Sequence, residues 1–239
     1  MKKILLIHGW DYDNYYGRTN DDAWHNRQKF VTELSKNYET YSLDLPGFGN
    51  SPVPEVKTWT LDDFAKYIEE YIALHNISVD YILGYSFGGA VAIRWKTNYH
   101  HKIKLILVSP AIIRNSSQSH TFLKTPALLS QIRTIFRNFY LIHILKNPEM
   151  KYGTKFHQNT YQEIVRLDLT KELENIPVKE LIIIFGSTDV MVNPHKLYSA
   201  LSDDYKDRVK MIEDGGHDIA NTHPKVLLKE IKSFNEEGE

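Results

Sequence analysis

A serine, an aspartate and a histidine in this chain stand where they could act together on an acyl group. Ser86 lies within Gly84-Tyr85-Ser86-Phe87-Gly88-Gly89, between a short apolar run and a helical one. A chain turning that sharply from strand to helix holds its serine in a strained backbone conformation, with the hydroxyl clear of the sheet. Gly84 and Gly88 leave room for strand and helix to pass closely. Asp189 follows the apolar run 181–185 in Gly186-Ser187-Thr188-Asp189, and His217 follows 208–212 in Gly215-Gly216-His217. A serine hydroxyl is a poor nucleophile until a base takes its proton. A histidine, which titrates near neutrality, can take that proton and return it to a leaving group. An aspartate can hold the imidazole's other nitrogen as a donor and stabilise the imidazolium. The expected catalytic set is therefore Ser86, Asp189 and His217.

Each residue also has an ordinary reading: an incidental serine in a turn, an aspartate capping the helix after Pro194, and a histidine in a glycine loop. Asp44, Asp168 and Asp218 compete as acids, and His8 and His195 as bases. The Pro-Gly surroundings of Asp44 suggest that it holds a turn, and His8 suits the anchoring of its own loop. An oxyanion would need two N–H donors. The amide of Phe87, next after the serine, is one, and the amide of Trp10, in the loop after the first apolar run, is the expected second.

These residues follow elements that alternate. The continuous apolar run 4–7 and the segments 39–43, 81–83, 103–108, 181–185 and 208–212 read as strands. Helices are expected at 23–35 (Trp24, Phe30, Val31 and Leu34 inward), 61–75 behind a Thr60 cap, 87–98, 194–202 and 224–234. The alternation predicts an α/β fold: a mostly parallel, doubly wound sheet of about six strands with helices on both faces. Ligands of such sheets bind at the carboxyl ends of the strands, where Ser86, Asp189 and His217 fall. Residues 111–176 carry no strand pattern and read as a helical cap inserted after the fourth strand. Its clearest helix is 126–146, and residues 1–110 and 177–239 form the core.

Composition narrows the alternatives. The chain has 239 residues, 42% hydrophobic and 25% charged, with a net charge of −1. It is an ordinary globular composition with no global field for nucleic acid. Without cysteine there is no disulfide or thiolate metal site, and a reducing, cytoplasmic setting fits. The four-residue apolar run after Lys2-Lys3 is too short for a signal peptide, and no stretch reaches the ~18 apolar residues of a membrane span. Asp11-Tyr12-Asp13-Asn14 lacks the glycine and glutamate of a calcium loop, and Gly47-Phe48-Gly49 lacks the rest of a dinucleotide site. Neither a metal nor a cofactor is expected. Between Ala111 and Leu167, eight Lys or Arg side chains stand against two Glu. That excess reads first as a solvated face, and it could also steer an anionic or carrier-bound acyl group.

His8-Gly9-Trp10, Asp44-Leu45-Pro46-Gly47-Phe48-Gly49-Asn50-Ser51, the serine motif, Gly186-Ser187-Thr188-Asp189 and Gly216-His217 together resemble the α/β-hydrolase fold superfamily. Within it the chain is most similar to small capped serine esterases of the pimeloyl-acyl-carrier methyl ester esterase type. The resemblance covers everything outside the cap. It implies cofactor-free hydrolysis of a small-molecule acyl ester, with Ser86 as nucleophile, Asp189 as acid and His217 as base. The chain's first strand corresponds to the family's third. The loop between Gly9 and Trp24 is longer than the family's usual one. A serine nucleophile disfavours dehalogenase and epoxide hydrolase chemistry. The same three residues could also cleave an amide, a thioester or a carbon–carbon bond, or transfer the acyl group. A non-catalytic ligand-binding member of the fold is the reading from another class.

Overall fold

The computed structural model describes residues 1–18, 20–99, 102–113 and 151–237. Six strands form one sheet: β1 (Lys2–Ile7), β2 (Tyr38–Leu43), β3 (Tyr81–Tyr85), β4 (Lys104–Val108), β5 (Leu181–Gly186) and β6 (Val209–Ile212). Their order is β2-β1-β3-β4-β5-β6, and every neighbouring pair is parallel. The winding reverses between β1 and β3, which opens a crevice at their carboxyl ends.

The described helices are α1 (Gln28–Leu34), α2 (Leu61–Leu74), α3 (Phe87–Tyr99), α4 (Lys155–Ile164), α5 (Thr170–Leu173), α6 (Pro194–Ala200), α7 (Asp203–Lys206), α8 (Ile219–Thr222) and α9 (Pro224–Glu236). Strand side chains alternate between two cores. Leu5, Ile7, Ile82, Leu105, Leu107, Ile183 and Phe185 pack with α2 and α3, while Ile4, Leu6, Leu83, Ile106, Val108, Ile182 and Ile184 pack with α1 and α9. The sheet is thus all-parallel and covered on both faces, as the alternation required. Among the described residues, no helix is long and apolar enough to cross a membrane.

Two expectations change. The helix anticipated from Ala23 begins at Gln28, after a 3₁₀ turn at His25–Arg27. The Ala23 amide donates to Asp44 Oδ1 at 2.8 Å and the Trp24 amide to Asp22 Oδ1 at 2.7 Å. Those side-chain acceptors hold the segment in a turn that competes with helix. Trp24, Phe30 and Leu34 are buried as expected, and Val31 is only half-buried. The helix expected at 126–146 lies outside the described residues. The described part of the insertion contains α4 and α5, with one antiparallel bridge between Ile113 and Asp168.

Helix α2 starts as anticipated, with Thr60 and Asp63 in a reciprocal capping box. Helix α3 lies hard against the sheet. A β-carbon at Gly84 would sit 2.6 Å from the Gly88 carbonyl oxygen, and one at Gly88 would overlap the Ile7 carbonyl oxygen. Helix α4 is tied down by His157, which is fully buried. Its Nε2 lies 2.8 Å from the Gly47 carbonyl oxygen and so carries the proton, while Nδ1 accepts from the Thr154 amide at 3.2 Å. The Trp59 amide donates to Thr160 Oγ1 on the same helix at 3.0 Å. His8 ties the other side of this loop system, donating from Nδ1 to the Gly9 carbonyl oxygen and accepting at Nε2 from the Leu45 amide.

Two predictions follow from this packing. Gly88→Ala places a methyl group against main chain that cannot yield, and is expected to cost about 3 kcal/mol or more in urea unfolding. Burial lowers the pKa of both His8 and His157, and hydrogen bonds to carbonyls only partly offset it. The unfolded chain binds protons at these sites below about pH 6.5, while the folded chain resists them. Their contribution is complete above that pH and is lost as pH falls below it. The melting temperature is therefore expected to drop between about pH 7.5 and pH 5.5, and His157→Gln, which keeps the donor to Gly47, should make that drop shallower.

Candidate active site

Ser86 follows β3 directly and adopts φ of 51°. A non-glycine residue in this left-handed region costs roughly 1–3 kcal/mol and persists only where its surroundings over-determine it. Here main-chain hydrogen bonds do so. The Ser86 amide donates to the Val108 carbonyl at 2.9 Å, and its own carbonyl accepts from the Gly89 and Ala111 amides at 3.0 and 2.9 Å. The turn therefore leans on the end of β4 as well as on its own helix. Gly9 crosses closely above, where a β-carbon would sit 3.1 Å from Ser86 Cβ.

The structure brings the three expected side chains together. Ser86 Oγ lies 3.0 Å from His217 Nε2, and His217 Nδ1 lies 2.8 Å from Asp189 Oδ2. Asp189 is buried, and its other oxygen accepts from the Met191 and Val192 amides at 2.8 and 3.2 Å. Burial alone would raise this carboxyl's pKa. The hydrogen bond and charge of His217, with the two amides, outweigh burial and hold it below the ordinary carboxylate range. An ionised Asp189 fixes the proton on Nδ1 and leaves Nε2 to accept from the serine hydroxyl. This arrangement can take a proton from Ser86, hold it on a stabilised imidazolium and deliver it elsewhere.

The competitors are engaged otherwise. Asp44 accepts from Ala23 and from the Asn50 amide and holds its turn. Asp168 accepts from Thr170 at the start of α5. Asp218 pairs with Arg27 at 3.0 Å, and His195 is exposed on α6. His8 is the loop anchor described above.

Phe87 opens α3, so its amide has no intrahelical acceptor and the helix dipole points at the space beside Ser86. Trp10 sits in the loop over that space. Its indole N–H donates to Tyr15 Oη at 2.9 Å. Its ring meets Phe87, Phe48 and His157 edge-on and leans against Tyr161 of α4. The Trp10 side chain is thus a wall between the crevice and the insertion. A small cavity of about 10 Å³ is lined by Phe87, Ala90, Ala111, Ile164 and Leu167 among others. His157 and Tyr85 complete these surroundings; His157 stands in no motif, and Tyr85 occupies a position of the serine motif where any residue type is allowed. The one available signal for Tyr85 is its position immediately before the serine on a strand that alternates faces.

Comparisons with known proteins bear on the fold and the family. A family model described as the alpha/beta hydrolase family matches residues 4–230. The pimeloyl-[acyl-carrier protein] methyl ester esterase of Aeromonas salmonicida is 34% identical over 89 residues, covering 37% of this chain and 30% of that protein. The chain thus spans less than a third of that relative's length. The enzyme of the same name from Neisseria meningitidis serogroup B is 24% identical over 262 residues, covering 100% of this chain and 94% of that protein. Among solved structures, the meta-cleavage product hydrolase from Pseudomonas fluorescens superposes with a TM-score of 0.69 at 18% identity, covering 100% of this chain and 92% of the other. At that identity the likeness is one of fold.

Proposed function

The chain belongs to the alpha/beta hydrolase family, and on that premise we propose that it is a cofactor-independent serine hydrolase that cleaves carboxylic esters through an acyl-enzyme on Ser86. The observation that carries this reading is the unbroken line from Ser86 Oγ to His217 Nε2 at 3.0 Å and from His217 Nδ1 to Asp189 Oδ2 at 2.8 Å. Ser86 Oγ attacks the acyl carbon as its proton passes to His217 Nε2. The carbonyl electrons move onto oxygen, and the Phe87 and Trp10 amides receive that oxyanion. Collapse expels the alcohol, which leaves with the proton from His217. Water then gives its proton to the same nitrogen and attacks the acyl carbon, and the acid departs as Ser86 recovers its hydrogen. Asp189 stays ionised and stabilises the imidazolium in both halves.

The insertion after β4 is read as a cap over this crevice on the support of its described part, where Tyr161 and His157 of α4 pack on Trp10. The substrate class is a small acyl ester. The names of both relatives make an ester on a carrier-bound acyl chain a specific candidate.

Purified protein is expected to hydrolyse p-nitrophenyl acetate or butyrate, and a fluorophosphonate should label it stoichiometrically. Ser86→Ala should abolish labelling and lower kcat by about 10⁴-fold or more. Asp189→Asn should lower kcat by about 10⁴-fold while leaving KM nearly unchanged. Equal hydrolysis by wild type and Ser86→Ala would end this reading.

A further inference from the structure

We propose that Tyr85 is a positioning residue whose hydroxyl holds the main chain of His217 in register with Ser86. The proposal rests on the serine hydrolase reading above. Tyr85 is the last residue of β3 and immediately precedes Ser86. Alternation along the strand turns its side chain to the α1 and α9 face of the sheet, away from the Phe87 side. There it is buried, with its ring edge-on to Trp24. From that face its hydroxyl reaches up and donates to the His217 carbonyl oxygen at 2.7 Å. The imidazole of the same histidine reaches over the other side of the strand end to Ser86 Oγ. One residue therefore fixes both partners: its backbone leads into the serine and its side chain holds the histidine's backbone.

Three neighbours keep the hydroxyl on that task. The phenol proton has a second acceptor in Asp218 Oδ1, at 3.4 Å. That carboxylate is occupied by Arg27 Nε at 3.0 Å and by Asn221 Nδ2 at 2.8 Å. The Arg27 guanidinium also lies over the Tyr85 ring, 4.6 Å from its centre. With Asp218 engaged, the shorter bond to the His217 carbonyl prevails. Burial, the largest influence, pushes the phenol above its ordinary range, so it remains a donor at any working pH. The base-bearing loop is held from the other side by the acid-bearing one, since Thr188 donates to the Gly215 carbonyl from both its amide and its hydroxyl. Asp189 thus sets the imidazole, the acid loop sets Gly215, and Tyr85 sets the distance to the nucleophile.

Tyr85→Phe removes the hydroxyl and keeps the ring. Tyr81→Phe is the control: it lies on the same strand and face, and its hydroxyl bonds Asn235 of α9 at the strand's far end. Both variants should lose similar stability. Only Tyr85→Phe should slow fluorophosphonate labelling and lower kcat, each by about tenfold, with KM within about twofold of wild type, as for a lost positioning contact. Arg27→Met supplies a second arm should Tyr85→Phe not fold. Freed from Arg27, Asp218 draws the phenol off the His217 carbonyl, so labelling should slow several-fold, and Arg27→Lys should restore part of the rate. Wild-type labelling rates and kcat in a folded Tyr85→Phe, or losses no larger than those of Tyr81→Phe, would overturn the proposal. If Tyr85→Phe does not fold, an unchanged Arg27→Met would do so. Absence of labelling in the wild type would instead remove the hydrolase reading and this proposal with it.

Discussion

The structure depends on one costly backbone conformation, the left-handed turn at Ser86. A chain does not hold such a turn on local propensity. It is held because β3 ends against β4, because the Val108 carbonyl takes the Ser86 amide, and because Ala111 and Gly89 both donate to the Ser86 carbonyl. Gly89 belongs to the turn's own helix, but Val108 and Ala111 come into place only in an assembled parallel sheet. The same turn brings helix α3 so near to strands β1 and β3 that side chains are excluded at Gly84 and Gly88. The strain is thus stabilised by the packing of the whole α2 and α3 layer, and it leaves a hydroxyl at the head of a helix dipole.

Sheet order does the next part of the work. Because the winding reverses between β1 and β3, the loops carrying Trp10 and Ser86 stand on either side of one crevice. Strands β5 and β6 are further out, yet the loops carrying Asp189 and His217 lean back across β4 and meet Ser86. Long-range hydrogen bonds make that lean specific. Gly215 is tied to Thr188 and the His217 carbonyl to Tyr85. The geometry around the serine therefore comes from main-chain tethers at least as much as from the side chains of Ser86, His217 and Asp189 themselves.

The described part of the insertion joins this frame partly through aromatic rings. His157 lies 4.0 Å from Tyr15, ring to ring, and bonds the Gly47 carbonyl; Tyr15 in turn holds the Trp10 indole. A buried neutral imidazole thus links α4 to the loop that overhangs the serine. Arg94 adds a second link, with two bonds of 2.8 Å to Glu172 of α5 and one of 2.9 Å to Asp62 of α2.

Much of this was legible in the residues. Six strand-like segments alternating with helical periodicity pointed to an α/β sheet, and continuous apolar runs such as 4–7 and 181–185 marked strands buried on both faces. Gly-x-Ser-x-Gly, Asp189 and His217 were recognisable as candidates from residue type and their places after strands. The start of α1 was not legible: Asp22 and Asp44 capture the amides of Trp24 and Ala23, and Asp44 is 21 residues away in the chain. Nor were the partners of Tyr85 and His157, which lie 132 and 110 residues distant. Periodicity and turn chemistry are short-range signals, which report what a segment does with its own neighbours. Which hydroxyl meets which carbonyl across the sheet is set by strand order, twist and packing, so the 3.0 Å between Ser86 and His217 belongs to the tertiary structure alone.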